Sequence, residues 1–227
     1  MARSLTDRHR FLSAVAILPS MHPHADVLET DVVTGERTDL GKQAGRALKA
    51  LAEAEISHVV IGAMALAVRG LPRFTRDLDI VVMVEEAFPA LRALEAAGYH
   101  SVAPVTEADG PEPMYVLEHE DGAEVDLLVA AAEPESSIVS EAESALVFGV
   151  SAPVASLEHL LLMYLYSNQP KHLGDFARIV TETEVDLARV ERYLSEVHPE
   201  MLETLARRVD EARNPPAPPA RPPRRNG

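Results

Sequence analysis

The stretch "VVIGAMALAVRGLPRFTRDLDIVV", residues 59–82, decides how this chain folds. Two apolar runs of strand character, "HVVIG" and "DLDIVV", flank a short helix-like piece rich in Ala, Leu and Met that ends near Gly70 and Pro72. The second run carries two acids, Asp77 and Asp79, inside an otherwise apolar strand. A charge in that position is costly unless something pairs with it. Because side chains alternate along a strand, the two carboxylates leave the same face about 6 to 7 Å apart and can address one ion or one ion pair.

Outward from this stretch, the pattern alternates helix and strand. Residues 41–56, "GKQAGRALKALAEAEI", predict an amphipathic helix with Leu48 and Leu51 toward one side. "EEAFPALRALEAAGY" predicts another, with acids and Pro89 in its first turn and a stop at Gly98. Strands are predicted over residues 99–105, 113–119 and 123–129, the last two joined by the turn "EDG". This is an α/β (α+β) pattern, a mixed sheet flanked by helices. From Ser156 the character changes: "SLEHLLLMYLYSN" opens on a capping serine and is apolar nearly all round, so it predicts a buried helix. Further helices are predicted from Pro170, across residues 186–197 and across 199–212. The chain thus divides into an extension of unassigned role (1–40), an α/β core (41–150), a helical segment (151–212) and a Pro/Arg-rich tail (213–227) read as disordered or polyproline. Within the extension, a hairpin could turn at Thr34-Gly35, and His22 and His24 read as part of a polar segment rather than a metal pair.

Composition narrows the function classes. At 227 residues and 47% hydrophobic, the chain can bury one good core or a core with a small appended domain. Its formal charge is -15, and without the four arginines from residue 212 onward the remainder stands at -19, so on average it repels a phosphate backbone. The absence of cysteine excludes disulfides, thiolate nucleophiles and Cys-ligated zinc. No apolar run reaches the roughly 18 residues of a membrane helix. In "MARSLTDRHRFLSAVAILPS", Asp7 interrupts the basic start and no small-x-small cleavage site follows closely, so no leader is read and a cytoplasmic location is expected. Without a P-loop, a G-x-S-x-G elbow or an H-E-x-x-H motif, hydrolase and P-loop readings have no anchor.

A third carboxylate comes from "AEVDLLV". There Asp126 shares a strand face with Glu124 and Leu128, while Val125, Leu127 and Val129 point the other way. If this strand lies beside "DLDIVV", Asp77, Asp79 and Asp126 form an all-oxygen cluster suited to magnesium. Two such ions about 3.5 to 4 Å apart would stabilise both the attacking and the leaving oxygen of an in-line phosphoryl displacement. Gly62 ends a strand as a helix begins, so backbone can approach a ligand closely there and an anion fits the helix start. Arg69, Arg73 and Arg76 lie between, and at least one of them could meet a triphosphate bidentately. Each taken singly also reads as a solvated loop charge.

Glycine, a small residue, a helix and then "RxTRDLDIVV" resemble the signature of the polymerase-β nucleotidyltransferase superfamily. More narrowly, "GAMALAVRGLPRFTRDLDI" together with "SLEHLLLMYLYSNQPKHLGDFARI" looks like the AbiEii group, which includes MenT-like toxins of toxin–antitoxin pairs that transfer nucleotides to transfer RNA. The resemblance covers residues 59–179. It implies a polymerase-β-like fold and a magnesium-dependent enzyme that uses a nucleoside triphosphate, probed by the following assignments. Gly62 and Ala63 would face the triphosphate, Asp77 and Asp79 would bind two magnesium ions, and Asp126 would be the third carboxylate, activating the acceptor hydroxyl. Arg76 would serve the nucleotide, as would Lys171 and Asp175, which match a basic and an acidic residue of the family's helical segment. The chain departs from the family where Ala63 replaces Ser or Gly, Tyr164 replaces a common lysine and His172 a common aspartate. Loss of that cation implies weaker triphosphate binding, for which Arg69, Arg73 or Arg178 could compensate.

Three readings of the partner follow from the resemblance and the charge. An AbiEii-like toxin would modify transfer RNA and pair with a cognate antitoxin protein. A small cationic acceptor, as in antibiotic nucleotidyltransferases of the same superfamily, suits an acidic body better. A degenerate module lacking the lysine would bind nucleotide or a partner protein without catalysis, with the tail as a polyproline ligand.

Overall fold

The computed structural model describes residues 39–105, 107, 110–132 and 135–215. The hairpin at Thr34-Gly35, the His22/His24 reading, the leader reading and the tail beyond residue 215 lie outside the described residues. The chain separates into two compact units, the first ending at Met163 and the second beginning at Tyr164.

In the first unit, helix α1 (Asp39–Glu53) leads into β1 (His58–Val60), α2 (Gly62–Val68) and β2 (Asp77–Met83). A 3-10 turn (Val84–Glu86) and α3 (Ala87–Ala96) precede β3 (Tyr99–Ser101), β4 (Met114–His119) and β5 (Glu124–Ala130). Then come α4 (Glu135–Ser140), β6 (Glu143–Val147) and β7 (Val150–Val154). The strands form one seven-stranded sheet in the order β3-β4-β5-β2-β1-β7-β6. Pairs β2/β5 and β1/β7 are parallel, and the other neighbours are antiparallel. The mixed α/β architecture expected from the alternating pattern is therefore present.

Strand β2 runs through the middle of this sheet. Its Leu78, Ile80 and Val82 are buried, as are Leu48 and Leu51 of α1 and Leu91 and Leu94 of α3, and α1 packs on α3. Each fully buried leucine contributes about 1.5 to 3 kcal/mol. On the opposite face of β2, Val81 is buried with Ile138 of α4, which packs on this strand, whereas Asp77 and Asp79 are only half-buried. The strand is thus covered on both faces over its later half and open on one face at its start.

One local expectation needs correction, and one element was not expected. The strand predicted over residues 99–105 stops at Ser101, because Pro104 has no amide proton to continue a ladder. The β6–β7 hairpin has no counterpart in the sequence reading. It turns on Phe148 and Gly149, both at positive φ (51° and 75°), between the paired residues Val147 and Val150. That is the dihedral pattern of a tight hairpin turn normally announced by Asn-Gly or Asp-Gly. Here a phenylalanine takes the first position, and its ring is fully buried, so tertiary packing supports a conformation that local propensity disfavours.

Helix α5 (Leu157–Leu165) carries the chain from the first unit to the second, with Ser156 at its start accepting a hydrogen bond from the His159 amide at 3.2 Å, the expected cap. The second unit contains α6 (Pro170–Glu182), α7 (Leu187–Val197), a 3-10 turn (Pro199–Met201) and α8 (Leu202–Arg213). Pro170 occupies the first turn of α6, and Asp186 caps α7 through the Arg189 amide at 3.0 Å. Arg208 of α8 is buried and donates to the Tyr164 carbonyl at 2.8 Å and to Asn168 Oδ1 at 2.9 Å, which fastens α8 to the start of this unit.

One strand residue makes stability depend on pH. His58 of β1 is 5% exposed; its Nδ1 donates to the Ile56 carbonyl at 2.8 Å, while the buried Nε2 has no hydrogen-bond partner. Burial holds the imidazole below its ordinary value of 6.5, against the opposing pull of the Ile56 carbonyl. The unfolded chain therefore takes up a proton on acidification before the folded one does, and stability is lost as pH falls below 6.5. Thermal melts from about pH 7 to about pH 5 should fall more steeply for the native chain than for His58→Gln. Parallel slopes would remove His58 from this account.

Candidate active site

The site is built on two parallel strands. β2 and β5 pair residue for residue, with Asp77 opposite Glu124 and Asp79 opposite Asp126. Because both strands alternate in phase, the acids of β2 and β5 emerge on one face. Oxygens of Asp77, Asp79 and Asp126 come within 4.8 Å of one another, a grouping able to share a metal ion, and all three residues are half-buried. Glu124 stands on the same face one step away, half-buried, opposite Asp77.

Three carboxylates at this spacing repel one another by about 3 kcal/mol per ionised pair at an effective dielectric constant near 20. A divalent cation removes that repulsion. The donor set is entirely hard oxygen, with no thiolate in the chain, which fits magnesium or a similar hard ion. The residues present therefore fit the metal that the resemblance implies.

The fourth component is Gly62, first residue of α2. The Ile61 amide donates to the Asp79 carbonyl at 3.0 Å, which brings the β1–α2 turn against the start of β2. Gly62 sits at φ +61°, and a Cβ added there would lie 2.0 Å from Asp79 Oδ2 and 2.7 Å from its Cγ. Only glycine leaves room for the carboxylate and adopts that dihedral without strain. Ala63 follows with its methyl group fully buried, so its backbone amide is the group it can offer a ligand. Ile61, at the cap position of α2, supplies no side-chain hydrogen bond to the first turn.

A residue not singled out in the sequence also belongs to the site. Thr75 is 5% exposed between the exposed Phe74 and Arg76, and its hydroxyl donates to Asp77 Oδ1. Its legible signal was a hydroxyl residue two positions before a strand aspartate, a spacing at which such side chains meet local polar groups.

The arginines divide by use. Arg69 donates to the carbonyls of Ala155 at 3.1 Å and Val154 at 3.2 Å and pairs with Glu143 at 3.0 Å, so it ties α2 to β6 and β7. Arg73 donates to the Phe74 carbonyl at 3.2 Å. Arg76 is exposed, with its guanidinium 5.7 Å from the centre of the Phe74 ring. Lys171 and Asp175 belong to the second unit, one turn apart on α6, with Lys171 exposed and Asp175 buried. In the same unit the Tyr164 and His172 rings stack with centroids 5.0 Å apart, so two of the three departures from the pattern of the group it resembles touch each other. Arg178 pairs with Glu182 at 3.2 Å.

No protein-family model and no curated protein matches the chain. Solved structures do. ANT(2")-Ia in complex with adenylyl-2"-tobramycin is 18% identical, with 77% of this chain and 98% of that chain covered and a TM-score of 0.44. The lincosamide antibiotic adenylyltransferase LnuA, lincomycin-bound, is 15% identical, with coverage of 64% and 98% and a TM-score of 0.47. An antigenic nucleotidyltransferase-like protein from Paracoccidioides brasiliensis is 16% identical, with coverage of 74% and 93% and a TM-score of 0.41. At such identities and scores, the chemistry of the site has to be read from its own geometry.

Proposed function

We propose that this chain is a metal-dependent nucleotidyltransferase of the polymerase-β type, which moves a nucleoside monophosphate from a nucleoside triphosphate to an acceptor hydroxyl. The observation that carries the reading is the convergence of Asp77, Asp79 and Asp126 beside the Cβ-free turn at Gly62. Asp77 and Asp79 would hold the magnesium ions, with Asp126 as third ligand. When bound, magnesium supplies charge neutralisation for the triphosphate and the departing pyrophosphate. The backbone at Gly62 and Ala63 receives the triphosphate, because the first helical turn begins there and has no side-chain cap on its amides. Asp126 accepts the proton of the acceptor hydroxyl as its oxygen bonds to the α-phosphorus, the bond from the α-phosphorus to the bridging oxygen breaks, and pyrophosphate leaves. The chain's main contribution is positioning and charge placement.

Arg76 is the exposed cation next to Asp77 and is assigned to the triphosphate; Lys171, as a point charge for phosphate, and Asp175 are assigned to the nucleotide on the resemblance. The same resemblance makes transfer RNA the first acceptor to test, and with it a toxin role beside a cognate antitoxin. The -19 body favours the second reading, a small cationic acceptor of the antibiotic type. The test is label transfer: purified protein, magnesium and each α-labelled nucleoside triphosphate are incubated with a cell extract, and label is sorted among RNA, protein and small molecules. Label in one pool, lost with Asp77→Asn, is the expected result and identifies the acceptor class. Transfer to RNA should fall steeply with added salt, and transfer to a small molecule only weakly. No label from a folded protein that still binds nucleotide would overturn catalysis and leave a binding module.

A further inference from the structure

We infer that Thr75 is a positioning residue for the metal site, fixing the rotamer of Asp77 so that one of its carboxylate oxygens remains available to the ion. The inference rests on the proposed metal site and adds to it a residue with no ligand contact of its own.

The observations concern a short segment. Residues 74–76 enter β2 with Phe74 exposed, Thr75 5% exposed and Arg76 exposed, so the hydroxyl residue alone turns inward. Its Oγ1 donates to Asp77 Oδ1. Asp77 opens the strand, where its neighbours give it little lateral support: it is half-buried, and its partner across the ladder, Glu124, is also an acid and repels it. Without a brace, repulsion from Glu124, Asp79 and Asp126 favours rotamers that carry the Asp77 carboxylate away from the cluster. A threonine is a stiff brace, since two heavy atoms on Cβ restrict χ1. A hydroxyl that donates to Oδ1 occupies one lone pair of that oxygen and none of Oδ2, so the braced carboxylate keeps acceptor capacity for a cation. Groups that orient metal ligands in this way commonly account for about 10- to 100-fold in metal affinity.

A purely structural role makes a different prediction. If the Thr75 hydroxyl only satisfied a turn, its removal would lower the melting temperature and leave ion affinity unchanged. The test uses the full chain and manganese alone, titrated while the electron paramagnetic resonance signal of the free ion is followed, with thermal melts in parallel. Thr75→Val keeps the shape and removes the donor; Thr75→Ser restores it; Asp79→Asn reports on the site itself. The expected result is manganese binding by the native chain, its loss in Asp79→Asn, about tenfold weaker binding in Thr75→Val, and near-native affinity in Thr75→Ser. Native affinity in Thr75→Val alongside loss in Asp79→Asn overturns the role of Thr75 and leaves the metal site standing. Manganese binding by Asp79→Asn equal to the native chain overturns the site, and Thr75 with it. Should the valine variant fail to melt cooperatively, Thr75→Ala, which introduces no new methyl group, is measured against Thr75→Ser with the same two readings.

Discussion

Asp79→Asn is expected to lower nucleotide transfer about a thousandfold or more while the folded state persists. Asparagine has the same shape and keeps the backbone carbonyl that receives the Ile61 amide, so the junction between the β1–α2 turn and β2 survives. What disappears is one negative charge at the centre of the cluster, between Asp77 on its own strand and Asp126 opposite it. A metal site that loses a central charged ligand forfeits about 4 kcal/mol or more of transition-state stabilisation, and each 1.36 kcal/mol is about a tenfold change in rate. Stability should move in the other direction. Without divalent ions, removing one of three mutually repelling carboxylates is expected to raise the melting temperature by a few degrees. Single-turnover label transfer together with melts in chelator checks both signs at once. A native transfer rate in this variant would sink the assignment of Asp77, Asp79 and Asp126 as the catalytic cluster.

Gly62→Ala is expected to lower transfer at least about a hundredfold by a different route. The new methyl group would stand 2.0 Å from Asp79 Oδ2 and 2.7 Å from Asp79 Cγ, closer than non-bonded atoms approach. Alanine at φ +61° also costs about 1 to 2 kcal/mol in backbone strain. Asp79 must therefore swing aside or the turn must shift, and either movement pulls the cluster apart. The expected readings are a lower denaturation midpoint, loss of ion binding and transfer reduced at least a hundredfold, since misplacement by about 1 Å can have that effect. A double-mutant cycle isolates the clash. In an Asp79→Ala background the carboxylate is gone, so Gly62→Ala should cost mainly the backbone strain, and the stability effects of the two changes should not add. Strict additivity would mean that the Gly62–Asp79 contact has no energetic content.

Much of this arrangement is legible in the sequence. The alternation in "DLDIVV" already places Asp77 and Asp79 on one face, because a strand has period two whatever surrounds it. The same periodicity puts Asp126 and Glu124 together, and "EDG" announces the hairpin joining β4 and β5. Ser156, Pro170 and Asp186 start their helices through local capping and φ preferences. Other elements were not legible because their causes are not local. Phe148 adopts φ 51° in a tight turn, and the burial of its ring, rather than turn propensity, accompanies that conformation. Arg69, one of three arginines facing the same sequence signal, is drawn to the carbonyls of Val154 and Ala155, residues far along the chain.

By itself, then, the sequence determined the alternating α/β pattern, the shared face of Asp77 and Asp79, and a glycine at the junction of strand and helix. Each depends on backbone geometry within a few residues. Only the tertiary structure decided that β2 pairs with β5 in parallel, with Asp79 opposite Asp126 rather than one residue out of step. A slip of one residue would turn Asp126 to the opposite face, and Val125 and Leu127 out of the core. The register is held by the burial of those apolar residues, and the convergence of three carboxylates follows from it. The contact between Gly62 and Asp79 has the same origin: two segments distant in sequence brought together because β1 and β2 pair antiparallel.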